Sequence, residues 1–270
     1  MTELTADQAR RAIVDHTRRL AESAVAAGPD AAVPTAPKWT TTDLVAHVGQ
    51  TQNWVAEIIE RRISDPTQLP AELAAPPAGP GEWQAWLSES AQRVANACSD
   101  DALDAPVFNA SGDGRTGARF WLTTMVNEAV VHGVDAATAA NRPADIEPAV
   151  AAALITNHFT MLTSPTWAMQ RSESADAIRG TGQTLQWQAT DTADDAGAWF
   201  VERQPDGATW QPATQPADVT VTGPAQSLLL TLTRRRPLTA GDATDITDIT
   251  VQGDTDLAQH WLDNTAHASD

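Results

Sequence analysis

The sequence predicts two domains of different class, an all-α domain over residues 1–165 and a small α+β domain over residues 176–270. Three observations predict this. Up to about residue 162, apolar residues recur at three- and four-residue spacing between helix start and stop signals. Beyond Thr163 the pattern turns to period two, as strands require. Between the two textures, Ser164-Pro165 and the polar stretch from Gln170 to Asp176 read as a linker. Strands and helices in a block of their own, behind a purely helical block, indicate an α+β domain following an α domain.

The first helix opens at Thr5, where Gln8 completes a capping-box pattern, and stops at Gly28-Pro29. Pro34 and Pro37 are expected to keep the next segment extended as far as Trp39. Thr40 then caps a second helix with Asp43 at its third position. Leu44, Val48, Val55, Ile58 and Ile59 form its apolar stripe, and His47 sits inside that stripe. A proline-rich surface crossing, residues 64–81, leads to a third helix from about Glu82 to Ala97, with Trp83, Trp86, Leu87 and Val94 inward. A fourth runs from about Thr116 to Ala140 and a fifth from Ala149 to about Leu162. Strands follow at residues 185–189, 198–201, 219–221 and 249–251. A short helix over residues 224–232 ends in Arg234-Arg235-Arg236, cations where a helix dipole favours them. A last helix runs from Thr255 to about Asn264.

Composition narrows the function. Seventeen Lys+Arg against 35 Asp+Glu give a net charge of −18, which argues against nucleic-acid partners and against anionic membrane surfaces. No run of apolar residues approaches the length of a membrane span, and the charged start lacks the apolar core of a signal peptide, so a cytoplasmic protein is expected. The sole cysteine, Cys98, permits no intramolecular disulfide and no CxxC motif; it reads as a small buried residue. A thiol used in chemistry here would come from a small molecule.

An acid four residues before a histidine puts both on one helix face. That spacing occurs at Asp43/His47, Glu128/His132, Asp256/His260 and Asp263/His267, so four of the 6 histidines show it and the spacing alone decides nothing. Context separates them. Asp43 and Asp256 stand in first turns, where acids are favoured anyway, and Asp263 lies near the chain end. Glu128 and His132 stand mid-helix among Met125, Val126, Ala129, Val130 and Val131. Two readings fit: a hydrogen-bonded polar pair inside the bundle, or two ligands of a metal ion with His47 as the third. Two histidines and a carboxylate on facing helices would leave a coordination position open, as catalytic zinc sites do. His16 and His158 read as packing residues.

The order of these pieces resembles the mycothiol-dependent maleylpyruvate isomerase family. Residues 39–49 (WTTTDLVAHVG) and 127–136 (NEAVVHGVDA) carry the likeness in the first domain, and residues 217–224 (ADVTVTGP), Arg235-Arg236-Pro237 and residues 251–254 (VQGD) carry it in the second. The resemblance implies a DinB-like four-helix bundle followed by a sterol-carrier-like α+β domain. It implies a divalent metal, usually zinc, on His47, Glu128 and His132. It also implies a low-molecular-weight thiol such as mycothiol as cofactor or co-substrate, activated as thiolate by the metal, and an electrophilic small-molecule substrate. The reaction is then an isomerisation by addition and departure of the thiolate, or an S-transfer in which it stays. An arginine of the second domain is implied near the active site, with Arg234, Arg235 and Arg236 as candidates. One departure stands out: Gly133 and Val134 replace the basic residue and aromatic that family members commonly carry between the metal histidine and the Asp, which puts the substrate in doubt. A different class of function remains, a non-catalytic protein that binds a metal or holds an apolar ligand against residues 228–232 and Trp187, Trp199 or Trp210.

Overall fold

The computed structural model describes residues 3–112, 114–238 and 248–265, and the chain forms two compact units. The first is helical: α1 (Ala6–Ala27), α2 (Thr41–Glu60), α3 (Trp83–Ala97), the single turn α4 (Asp100–Leu103) and α5 (Gly117–Ala139). Helix α1 packs on α3 and α5, and α2 packs on the same two, which makes a four-helix bundle. Both expected capping boxes form, Thr5 with Gln8 and Thr40 with Asp43. Asp43 is thereby committed to the helix start; its bonds with the Thr40 hydroxyl and backbone N–H hold its carboxyl below the usual range. The α2 stripe of Leu44, Val48, Val55, Ile58 and Ile59 is wholly buried. So is the α5 run of Met125, Val126, Ala129 and Val130.

The segment joining α1 to α2 is not extended. Val33 N–H donates to the Trp39 carbonyl at 3.0 Å and Trp39 N–H to the Ala36 carbonyl at 2.8 Å, closing residues 33–39 into a compact loop. Val33 is fully buried in the bundle core, so the loop is fixed by its own hydrogen bonds and by an apolar pin. Pro34 and Pro37 set its corners rather than straightening it.

The second unit contains α6 (Pro148–Leu162), α7 (Pro165–Gln170), α8 (Ser172–Ala177), β1 (Thr184–Ala189), β2 (Ala198–Gln204), β3 (Gly207–Gln211), β4 (Val219–Gly223), α9 (Ala225–Leu232), β5 (Thr250–Gly253) and α10 (Thr255–Thr265). The sequence reading leaves α6 with the bundle; in the structure α6 packs on α9 and β3 and groups with the second unit. The expected linker is instead two short helices, α7 and α8, with Ser164 capping α7 and Trp167 buried beneath it. The sheet runs β3-β2-β1-β4-β5, antiparallel except for the β1–β4 pair. Its register aligns Leu185 with Val201 and Val219, and Trp187 with Trp199 and Val221. All six are buried, so Trp187 and Trp199 are core residues of the sheet. Strand β3 escapes sequence reading because its side chains are at most half-buried and show no clean alternation.

Two helix glycines make opposite demands. A Cβ on Gly49 of α2 would lie 2.2 Å from a Trp86 ring carbon, so that helix pair closes only over a bare Cα. A Cβ on Gly133 of α5 would meet, beyond its own helix, the His16 carbonyl at an ordinary 3.7 Å. Gly49→Ala is therefore expected to destabilise by about 1–3 kcal/mol through overpacking. Gly133→Ala should stabilise by about 0.5–1 kcal/mol through helix propensity. Denaturant unfolding of the two variants checks both signs.

Candidate metal centre

Helix α2 delivers His47, and α5 delivers Glu128 and His132, one turn apart on the face turned toward α2. Glu128 Oε2 lies 3.1 Å from His47 Nε2 and 3.3 Å from His132 Nε2. One ligand atom from each of the three lies within 4.8 Å of the others, and the side chains are 36%, 21% and 15% exposed in the order His47, Glu128, His132. Metal bonds of about 2.0–2.1 Å in tetrahedral array place neighbouring ligand atoms about 3.3 Å apart. The two carboxylate–imidazole separations match that edge. The donor set therefore has the size, chemistry and partial opening of a site for one divalent ion with room for a further ligand.

The fourth member of the site is Asp135, which is fully buried. Its Oδ2 is 2.9 Å from His132 Nδ1, and its Oδ1 accepts from the Thr35 hydroxyl at 2.5 Å. A carboxylate on one imidazole nitrogen fixes the tautomer and presents the other as the electron-pair donor, the usual outer arrangement around a metal-bound histidine. Here that leaves His132 Nε2 facing Glu128. Trp39 covers the same two rings: its indole stacks on His132 with centroids 5.8 Å apart and tilts against His47 at 4.9 Å.

Charges in this cluster hold one another. Burial alone would raise the Glu128 carboxyl, but hydrogen bonds from His132 and His47 outweigh it and hold the group well below the usual carboxylate range. Burial alone would lower the His132 imidazole, yet Asp135 and Glu128 on its two nitrogens push it up to about 9. Without a metal the arrangement is thus an ionised carboxylate beside an imidazolium.

The remaining histidines do other things. His16 is buried in α1, and His158 is buried beside Phe159. His260 Nε2 lies 2.9 Å from the Ala177 carbonyl. His267 falls outside the described residues. Burial pushes the Cys98 thiol up to about 12, which leaves it without a thiolate at neutral pH.

In the second unit, Arg234, Arg235 and Arg236 surround a cavity of about 350 Å³ with Thr231, Leu238 and Asp263. The chain leaves α9 through Arg234 at φ 60°, and the Arg235 and Arg236 N–H groups return to the Leu230 carbonyl. Arg234 pairs with Asp263 at 2.8 Å, and Arg236 pairs with Asp248 at 2.8 Å and bonds the Ser227 hydroxyl.

The structure brings together the three residues that the sequence singles out as ligands. It adds three that sequence reasoning left without a role: Thr35, Trp39 and Asp135. Asp135 had a signal, since it stands three residues after His132 on the same helix face. Trp39 immediately precedes the α2 cap. Thr35 had none.

Comparison with known proteins identifies both domains. The profile of the mycothiol maleylpyruvate isomerase N-terminal domain matches residues 10–137, and that of the SCP-2 sterol transfer family matches residues 166–263. Among curated proteins, no sequence matches. Two solved structures are similar along nearly the whole chain. The mycothiol-dependent maleylpyruvate isomerase matches with a TM-score of 0.57 at 15% identity, over 91% of this chain and 96% of that one. A histidine-to-alanine mutant of a mycothiol-dependent maleylpyruvate isomerase matches with a TM-score of 0.56 at the same 15% identity and the same coverage, 91% and 96%. At that identity the likeness is one of fold. This chain thus carries a mycothiol maleylpyruvate isomerase N-terminal domain followed by an SCP-2 domain, on the fold of the isomerase.

Proposed function

We propose that this protein is an enzyme of thiol chemistry, in which His47, Glu128 and His132 hold a divalent ion of the zinc type. The co-substrate is a low-molecular-weight thiol, mycothiol or a close analogue, and the reaction is an isomerisation or S-transfer on a small electrophile. The carrying observation is the convergence of His47 from one helix with Glu128 and His132 from another, with both carboxylate–imidazole separations near the edge of a tetrahedral site. The match of residues 10–137 to the mycothiol maleylpyruvate isomerase N-terminal domain supports thiol-dependent isomerase chemistry. A bound ion would lower the pKa of a coordinated thiol into the neutral range. The chain's own groups do the rest. Glu128 offsets one positive charge, Asp135 keeps His132 Nε2 directed at the site, and Trp39 shields one side of the two imidazoles.

Gly133 shapes specificity in this reading. The space beside it accepts a Cβ, so crowding does not impose the missing side chain, and no cation extends from that position toward the site. The electrophile is then one that needs less anionic recognition from α5 than maleylpyruvate does. The second-domain arginine that the family resemblance implies is to be found among Arg234, Arg235 and Arg236, which open onto a shared cavity.

Elemental analysis after purification without chelator is expected to give about one zinc per chain, and His132→Ala should lose it. Absence of any divalent ion from the wild type would sink the metal reading. Thermal melting of the zinc-loaded protein should then rise with mycothiol by mass action, since ligand binds the native state alone. No shift with any small thiol would defeat the thiol reading.

The pH behaviour follows from the two shifted groups. His132 is raised, from an ordinary 6.5 to about 9, so its stabilisation of the metal-free protein is complete below 6.5 and is lost as pH rises through 9. Glu128 is depressed, so its stabilisation is present above its ordinary 4.5 and is lost as pH falls below it. Metal must displace the His132 proton, so zinc affinity should rise about tenfold per pH unit between roughly 7 and 9. Competition with a chromophoric chelator across that range measures the slope.

A further inference from the structure

We infer that the α1–α2 loop is a working part of the site, with Thr35 as the positioning residue for His132 and Trp39 as the wall that holds both imidazoles. The inference rests on the metal reading above for what the histidines are positioned to do. It stands separately on geometry for how they are positioned.

Thr35 lies 100 residues from Asp135 in sequence, yet its hydroxyl donates to Asp135 Oδ1 at 2.5 Å while Asp135 Oδ2 engages His132 Nδ1 at 2.9 Å. This makes an ordered chain of three groups ending at a ligand ring. Asp135 is fully buried, so a carboxylate there needs strong donors, and a hydroxyl and an imidazole N–H on separate oxygens are two of them. With Oδ1 taken by Thr35, the carboxylate cannot rotate to offer that oxygen to the ring without breaking a bond. The imidazole plane is set as a result.

Four residues later the same loop supplies Trp39, whose ring contacts both histidines although they sit on different helices. The two imidazoles meet edge to face at 4.9 Å, an arrangement a lone pair of rings would leave when one flips. An indole spanning them removes that freedom. The loop can do this because its own hydrogen bonds close it between Val33 and Trp39, and Val33 is buried in the core. Precision of this kind comes from locked supporting groups around the ligands.

The test uses zinc and the whole chain. Thr35→Val keeps the shape and removes the hydroxyl, and it is expected to weaken zinc binding about 10–100-fold, the usual effect of deleting an outer-layer partner. Thr35→Ser keeps the hydroxyl and should restore affinity to within a few-fold of wild type. Trp39→Ala should weaken zinc as well, with Trp39→Phe recovering most of the loss. A second readout needs no metal: the His132 Nδ1–H proton bonded to Asp135 should give a slowly exchanging downfield NMR signal in wild type and Thr35→Ser, and lose it in Thr35→Val. Persistence of that signal in Thr35→Val, or equal zinc affinity of Thr35→Val and wild type, would overturn the inference. A wild type that shows the signal but binds no zinc would defeat the metal reading and leave the loop's orienting role standing.

Discussion

The site depends on one shared carboxylate. Glu128 stands between two imidazoles that come from different helices, and every neighbouring choice makes sense as a way of allowing it. A lone carboxylate among the apolar side chains of α5 would be costly. His132 one turn along, His47 across the helix pair, and Asp135 behind His132 distribute charge so that each buried group has an opposite neighbour. The same balance suits a cation at the centre, because the two carboxylate–imidazole separations match the ligand-to-ligand edge of a tetrahedral site.

The bundle's packing serves this arrangement. Helix α2 is held against α3 through the bare Cα of Gly49 under Trp86, and its start is fixed by the Thr40–Asp43 box. His47 therefore has little freedom along or around its helix. Helix α5 is buried on nearly every side, which sets the azimuth of Glu128 and His132. Rigid elements carrying short polar side chains give a tighter geometry than a loop-borne site would.

Much of this was legible from residues in order. Helical spacing, caps and the switch to period two give the architecture, and the mid-helix position of Glu128 separates it from three acid–histidine pairs of identical spacing. Other parts were not. Polar composition hid α7 and α8, whose helical state rests on the Ser164 cap and the buried Trp167, and an edge strand without alternation hid β3. Thr35 could not be found, because a hydroxyl that acts across 100 residues leaves no local pattern. Proline content gave the wrong shape for its loop, since two fixed φ angles are as compatible with a closed turn as with an extended run.

The separation of 81 positions between His47 and Glu128 has a consequence in time. A chain emerging from synthesis displays His47, a lone and weak donor, long before the other two proposed ligands exist. Neither helix has enough donors to capture an ion alone, so capture waits for α2 to dock against α5. Metal loading would thus come after the bundle has assembled, and a partly made chain would offer passing ions no competent trap.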